Sequence, residues 1–515
     1  MRSSRRALTV AGIALIALVT SAHVGSPDTW FAGNAGPYRI LVHIRAPGVI
    51  PGIAEVNVQV EGDEDIREVL ANVNRFDAIA AAPPPERAKP MRGQPNTYRL
   101  PLWVMTGGSN SFTVRVHGDR GEGVAVVPAT IVAFRRLELT GPLAFLFGAV
   151  GVFLFAGFVT IVGAAVRESG LPPGEEPDAR RKRAGRMAMV ATATVLALLL
   201  FGGKRWWDSE DSAHRASMFR PLEARAHVDS ARGGRTLLFV ITDTTWRGPA
   251  VTGPLASPLR RRFSPLVPDH GKLMHLFAVR EDLGAIAHLH PGTTDTVTFT
   301  GPLPQLPPGR YRIFADVTHE SGFAQTIPAA IEISSEAGET AIGSAGDDSW
   351  SFATPSENNT VVLDSARGIT MRWGRGAGPI VAGQPAELRF RVTDASGADV
   401  HLEPYMGMPA HAAIVRDDGS VFIHLHPMGT ISSTSQLAFE MRAPTDTVPG
   451  MLASRLTTAD SARITHGMHG GTQNVLSFPY AFPTPGTYAV WVQVQHAGRV
   501  LTGAFTARVE ARASP

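Results

Sequence analysis

One segment of this chain occurs twice. Residues 268–291, PDHGKLMHLFAVREDLGAIAHLHP, align without a gap to residues 404–427, PYMGMPAHAAIVRDDGSVFIHLHP. The identities include Pro268/Pro404, Gly271/Gly407, His275/His411, Arg280/Arg416, Asp282/Asp418, His288/His424, His290/His426 and Pro291/Pro427. Upstream, RTLLFVITD (235–243) matches AELRFRVTD (386–394). Downstream, PGRYRIFADVTH (308–319) matches PGTYAVWVQVQH (485–496). Each copy therefore runs from a strand ending in Thr-Asp, through a histidine hairpin, to a Pro-Gly-x-Tyr strand ending in histidine. The period is too long for a solenoid. It fits two tandem β domains, 218–335 and 358–512, joined by a small, polar linker over 336–357. The second copy carries an insertion before its last strands, which includes HGMHGG (466–471).

The hairpins set a geometry. His275–Arg280 and Ala285–His290 flank a turn at Glu281–Gly284, and the second copy turns at Asp417–Ser420. Centred turns put His275 opposite His290 and Phe277 opposite His288. In the second copy they put His411 opposite His426 and Ala413 opposite His424. Directly opposed Cβ atoms lie about 5 Å apart, and His288 and His290, two apart, share a face. Three imidazoles per hairpin thus converge, with His319 and His496 as candidate fourth members.

The chain has 17 His, 14 Met and no Cys. That excludes disulfides, thiolate zinc sites, iron–sulfur clusters and a Cys nucleophile. Metal chemistry is left to imidazole, thioether and carboxylate. Met406, Met408 and Met428 flank the second hairpin, while His466, Met468 and His469 lie in the insertion. Imidazole beside thioether favours copper as the ligand, with zinc as the alternative. The same residues equally suit hydrogen-bonded histidines at a core rim, because duplication copies structural residues too. The acidic pairs Glu281/Asp282 and Asp417/Asp418 read as turn chemistry. No catalytic motif is present, so an enzyme ranks last.

Two uncharged runs, 141–166 and 187–203, are long enough to span a bilayer as a helical hairpin. Between them, 167–186 is a basic loop carrying Arg167, Arg180, Arg181, Lys182, Arg183 and Arg186, which the positive-inside rule assigns to the cytoplasm. Residues 1–22 read as a signal peptide or signal anchor with Arg2, Arg5 and Arg6 on the same side. Topology accounts for the basic cluster without a nucleic-acid partner. Segment 23–140 alternates short β-rich pieces with turn signals and reads as an outer β-sandwich. The expected fold is all-β: three immunoglobulin-like β-sandwiches, a transmembrane helical hairpin and the N-terminal segment.

The phrase DHGKLMHLFAVREDLGAIAHLHP, with PPGRYRIFADV and TPGTYAVWVQV, resembles the YtkA-like and FixH-like periplasmic β-sandwich modules of bacteria. The resemblance covers 218–335 and 358–512. It implies a bacterial membrane protein with its β domains on the outer, periplasmic side, accompanying envelope proteins of copper or heavy-metal handling. Two functions are expected from the sequence: binding or buffering of a transition metal at the His hairpins, or adhesion and assembly with purely structural histidines.

Overall fold

The computed structural model describes residues 23–24, 28–78, 82–135, 139–172, 174–231, 234–243, 265–334, 346–376, 378–446, 450–466 and 475–512. Its described residues are mostly β, in largely antiparallel sheets, with two long apolar helices. The expected segment 1–22 lies outside these residues, as do Met468 and His469.

The chain forms two compact units. The smaller, Ala133–Phe219, is built on helices α1 (Gly141–Glu168) and α2 (Ala179–Ser217). Both are long and apolar enough to cross a membrane. Asp178 starts α2 by accepting a hydrogen bond from the Arg181 backbone N–H at 2.7 Å. At Gly163 a Cβ would stand 2.3 Å from Met189 Cγ, so a larger residue in α1 would displace the Met189 side chain of α2. The helices exceed the apolar runs. The connection shrinks to 169–178, and Arg180, Arg181, Lys182, Arg183 and Arg186 belong to α2 rather than to a loop. Asp178 is a strong N-cap and the basic residues between it and the apolar run are good helix formers, so hydropathy alone underestimated the helix.

In the larger unit, a five-stranded and a four-stranded sheet come from Asp28–Ile131. On Tyr38–Arg45, Tyr38, Ile40, Val42 and Ile44 are fully buried at alternate positions, the signature of a sheet with one face inward. The first repeat, from Ala224, pairs a four-stranded sheet with a second sheet holding the His275–Arg280 and Ile286–Leu289 hairpin. The second repeat does the same with His411–Arg416 and Val421–Leu425. Each repeat has its own core: Leu276, Ala278, Ala287 and Leu289 face that of the first, Ala412, Ile414, Ile423 and Leu425 that of the second.

The other face of each hairpin sheet is also apolar. Phe277, Val279, Ile286 and Phe314 meet Ala413, Val415, Phe422, Trp491 and Ala504 in a separate cluster between the repeats. Phe314 and Phe422 stack at 4.3 Å between ring centroids. The histidine faces of the two hairpins are therefore pressed together.

Two further corrections concern the chain path. The expected linker is partly sheet: Ser349–Ser351 adds to Ile286–Leu289 as an edge strand. A three-residue strand is too short to show periodicity. His23–Val24 pairs in parallel with Val421–Phe422 of the second repeat, away from the N-terminal sheets.

The insertion in the second repeat forms α3 (Ser433–Met441) and α4 (Ala453–His466). Ser432 caps α3. Glu320 of the first repeat accepts the backbone N–H groups of Gly450, Leu452 and Ala453 at 2.7–2.8 Å, a carboxylate at a helix N-terminus.

Candidate metal centre

The hairpin registers are those the turns imply: Phe277 opposes His288 and Ala413 opposes His424. The strands alternate, so His275 and His288 share a face with Phe277, and His411 and His424 share one with Ala413. Apposition of the repeats merges the expected pair of separate sites into one buried cluster of His275, His288, His290, His411, His424 and His426, joined by His270.

An approximate two-fold relates its halves. The His275–His288 and His411–His424 ring separations are 5.4 and 5.3 Å, and His275–His290 and His411–His426 are both 5.0 Å. Each repeat also reaches into the other: His288 Nδ1 faces Gln493 Oε1 at 2.9 Å and His424 Nδ1 faces Asp316 Oδ2 at 3.5 Å. Asp316 and Gln493 occupy matched positions on the closing strands Gly309–His319 and Gly486–His496.

Hydrogen bonding assigns the imidazole protons. A neutral imidazole has one N–H and one bare nitrogen. His275 Nε2 donates to the Asp269 carbonyl at 2.9 Å and His411 Nε2 to that of Tyr405 at 3.1 Å, leaving both Nδ1 atoms bare. His288 points Nδ1–H at Gln493, and the Asp316 carboxyl faces His424 Nδ1 at 3.5 Å. The Gln493 amide nitrogen donates to Ser349 Oγ at 2.6 Å, which turns its oxygen to His288. The inner nitrogens face each other in pairs: His275 Nδ1 and His288 Nε2 at 3.2 Å, both bare in this arrangement, and His411 Nδ1, also bare, and His424 Nε2 at 3.1 Å. His290 donates Nδ1–H to Asp348 at 2.9 Å and His426 donates to the Ile431 carbonyl at 3.3 Å. Their Nε2 atoms, like that of His270, are buried without a hydrogen-bond partner.

Burial keeps the rings neutral. It holds His275, His288, His411 and His424 well below the usual imidazole range, with neighbouring histidines adding to the effect. His426 falls to about 4 for the same reason. Burial also lowers His290, against the pull of Asp348. Burial pushes the Asp316 carboxyl up to about 7.

Such a set can hold a metal. The nitrogens of His275, His288 and His424 lie within 4.8 Å of one another, as do those of His411, His424 and His426. Bonds of about 2.05 Å at a tetrahedral angle separate two nitrogens by about 3.3 Å, close to the facing pairs. Outward N–H groups on carbonyl and carboxylate oxygens are the usual support of metal-bound imidazole. His290 stands outside the two tight triads.

Two expected members, His319 and His496, turn to other partners. His319 pairs with Gln325 Nε2 at 2.8 Å, and His496 Nδ1 with the His401 carbonyl at 2.8 Å. Strand parity is the reason: each lies an odd three residues beyond Asp316 or Gln493 and faces the opposite way. Met408 is buried and bridges Tyr405 in a turn. Met428 lies in the turn after the second hairpin, where its carbonyl accepts the Ala32 N–H at 2.8 Å. His466 ends α4. Asp316, Gln493 and Asp348 were not anticipated, although the parity that removes His319 and His496 selects Asp316 and Gln493.

A protein family described as a domain of unknown function (DUF8832) matches residues 257–335, 364–450 and 456–511. No curated protein matches the chain. Among solved structures, an engineered protein matches at 16% identity, covering 18% of this chain and 20% of its own, with a TM-score of 0.15. Dimeric latent PorU from Porphyromonas gingivalis matches at 10% identity over 94% of this chain and 34% of its own, at 0.14. The FN1-FN3 domains of chicken CNTN1 match at 7% identity over 90% and 97%, at 0.13. The chain thus spans about a fifth and a third of the first two structures.

Proposed function

We propose that this protein is a membrane-anchored envelope protein that binds or buffers transition-metal ions in the imidazole cluster between its two repeats. Copper is the first candidate and zinc the alternative. The observation that carries this reading is the ring arrangement: five of the six imidazoles hold an oxygen at hydrogen-bond distance on their outer nitrogen, which leaves the inner nitrogen for a metal, and His424 faces Asp316 at 3.5 Å. On this reading the chain has three immunoglobulin-like sandwiches, and α1 and α2 span the membrane. The basic start of α2 then lies on the cytoplasmic side and the β domains outside, beside envelope metal-handling or assembly proteins.

Calorimetric titration of the full chain in detergent with Cu(I), Cu(II) and Zn(II) tests the proposal. Binding should be lost when His275, His290, His411 and His426 are all changed to Ala. Equal binding by the variant would overturn it. The apolar cluster between the repeats supports a second reading, an assembly module with structural histidines. That reading expects the variant to lose stability while added metal changes nothing in the wild type.

A further inference from the structure

His270 and Met406 hold the same place in the two repeats and carry different donors. Both lie in a turn closed by a bridge, Asp269 to Lys272 and Tyr405 to Met408. Both adopt left-handed backbone, with φ of 54° and 50°, a conformation that non-glycine residues keep only where their surroundings enforce it. Both are buried. The residue before each gives its carbonyl to the first histidine of its own hairpin.

His270 reaches across the interface. Its ring lies 4.9 Å from His426 and 5.5 Å from His411, against 6.2 Å from His275 in its own repeat. The backbone N–H groups of His270 and Gly271 are held at 3.1 and 2.7 Å by Asp460 of α4, which locks that approach. Met406 is the matched residue of the second repeat, buried in the same kind of turn, and the approximate two-fold relating the hairpins would direct it toward His275 and His290.

Resting on the metal-binding reading, we infer that the cluster is a pair of unlike metal positions. One is all imidazole, flanked by His270, and suits Zn(II) or Cu(II). The other adds the Met406 thioether and suits Cu(I), since soft sulfur selects the soft ion. The surroundings differ in the same direction. Asp269 and Asp316 on the His270 side correspond to Tyr405 and Gln493 on the other, where Asp348 reaches His290 and the neighbouring Asp347 is paired with Lys272. Asp269, whose matched residue Tyr405 carries no charge, favours a divalent ion on the His270 side.

X-ray absorption of the full chain in detergent, loaded with Cu(I) under reductant or with Zn(II), reads the donors directly. The first equivalent of Cu(I) should show copper–sulfur scattering, and the first equivalent of Zn(II) nitrogen alone. Met406→Leu should abolish the sulfur signal and weaken Cu(I) binding by about tenfold or more while leaving Zn(II) affinity within about twofold; His270→Ala should do the reverse. Thermal melts of the metal-free variants show whether each still folds. Nitrogen-only Cu(I) that Met406→Leu leaves unchanged overturns the unlike positions and leaves metal binding standing. A wild-type chain that retains neither ion overturns both.

Discussion

A side chain with one donor and one acceptor cannot satisfy two oxygens, and that rule gives the cluster its character. Once the Asp269 carbonyl takes the His275 proton, the other nitrogen of the ring must look inward bare. Asp348 does the same for His290. Asp348→Ala should therefore weaken metal binding about 10- to 100-fold with little change in ion number, as read by calorimetry. Gly429 is a second residue with a single solution. Its φ is +115°, and a Cβ there would stand 2.1 Å from the Trp30 carbonyl oxygen. Gly429→Ala should cost about 1–3 kcal/mol in chemical denaturation; an unchanged midpoint would mean that the Trp30 contact is dispensable. The matched histidines were legible from their spacing. Asp348 was not, because it reaches His290 from a stretch whose small polar composition carries no pattern.

At the scale of elements, period two decided most outcomes. The alternation in HLFAVR and HAAIVR placed His275 and His411 on one face, and the observed pairing keeps that register. What the alternation could not reveal is that both faces are buried, since a sheet covered on its second side by a related sheet reads like any apolar strand. Trp491 shows the consequence. It lies on the outer face of its sheet yet is fully buried between the repeats. Trp491→Ala should cost about 3–5 kcal/mol, measured by denaturant unfolding. A cost under about 1 kcal/mol would show that the repeats are held by other contacts. The helices were legible from hydropathy, except for the polar first and last turns of α2.

For the molecule as a whole, the buried imidazoles make stability depend on pH. In the unfolded chain these rings protonate below about 6.5. In the folded chain His275, His288, His290, His411, His424 and His426 stay neutral to lower pH. The unfolded state then binds more protons, so stability rises with pH through this window and is lost as pH falls, by about 1.4 kcal/mol per unit for each group. Asp316, raised to about 7, and Asp460, also raised by burial, work the opposite way above about pH 4, but they are two groups against six. Metal-free protein should melt at a constant temperature above pH 7 and at steeply lower temperatures below 6.5. Bound metal should move that fall to lower pH, because protons and the ion compete for the same nitrogens. A melting temperature that stays level to pH 5 would contradict neutral burial.

The contact at Gly429 also has a calendar. The Trp30 backbone bonds to Thr430, its partner 400 residues later in the chain. At synthesis rates of roughly 5–20 residues per second, the edge of the Asp28–Ala35 strand waits on the order of 20–80 s for the turn that covers it. Throughout that interval it is an unpaired strand edge outside its final setting, open to pairing with another chain. The N-terminal sheets therefore complete their surroundings last, although they are made first.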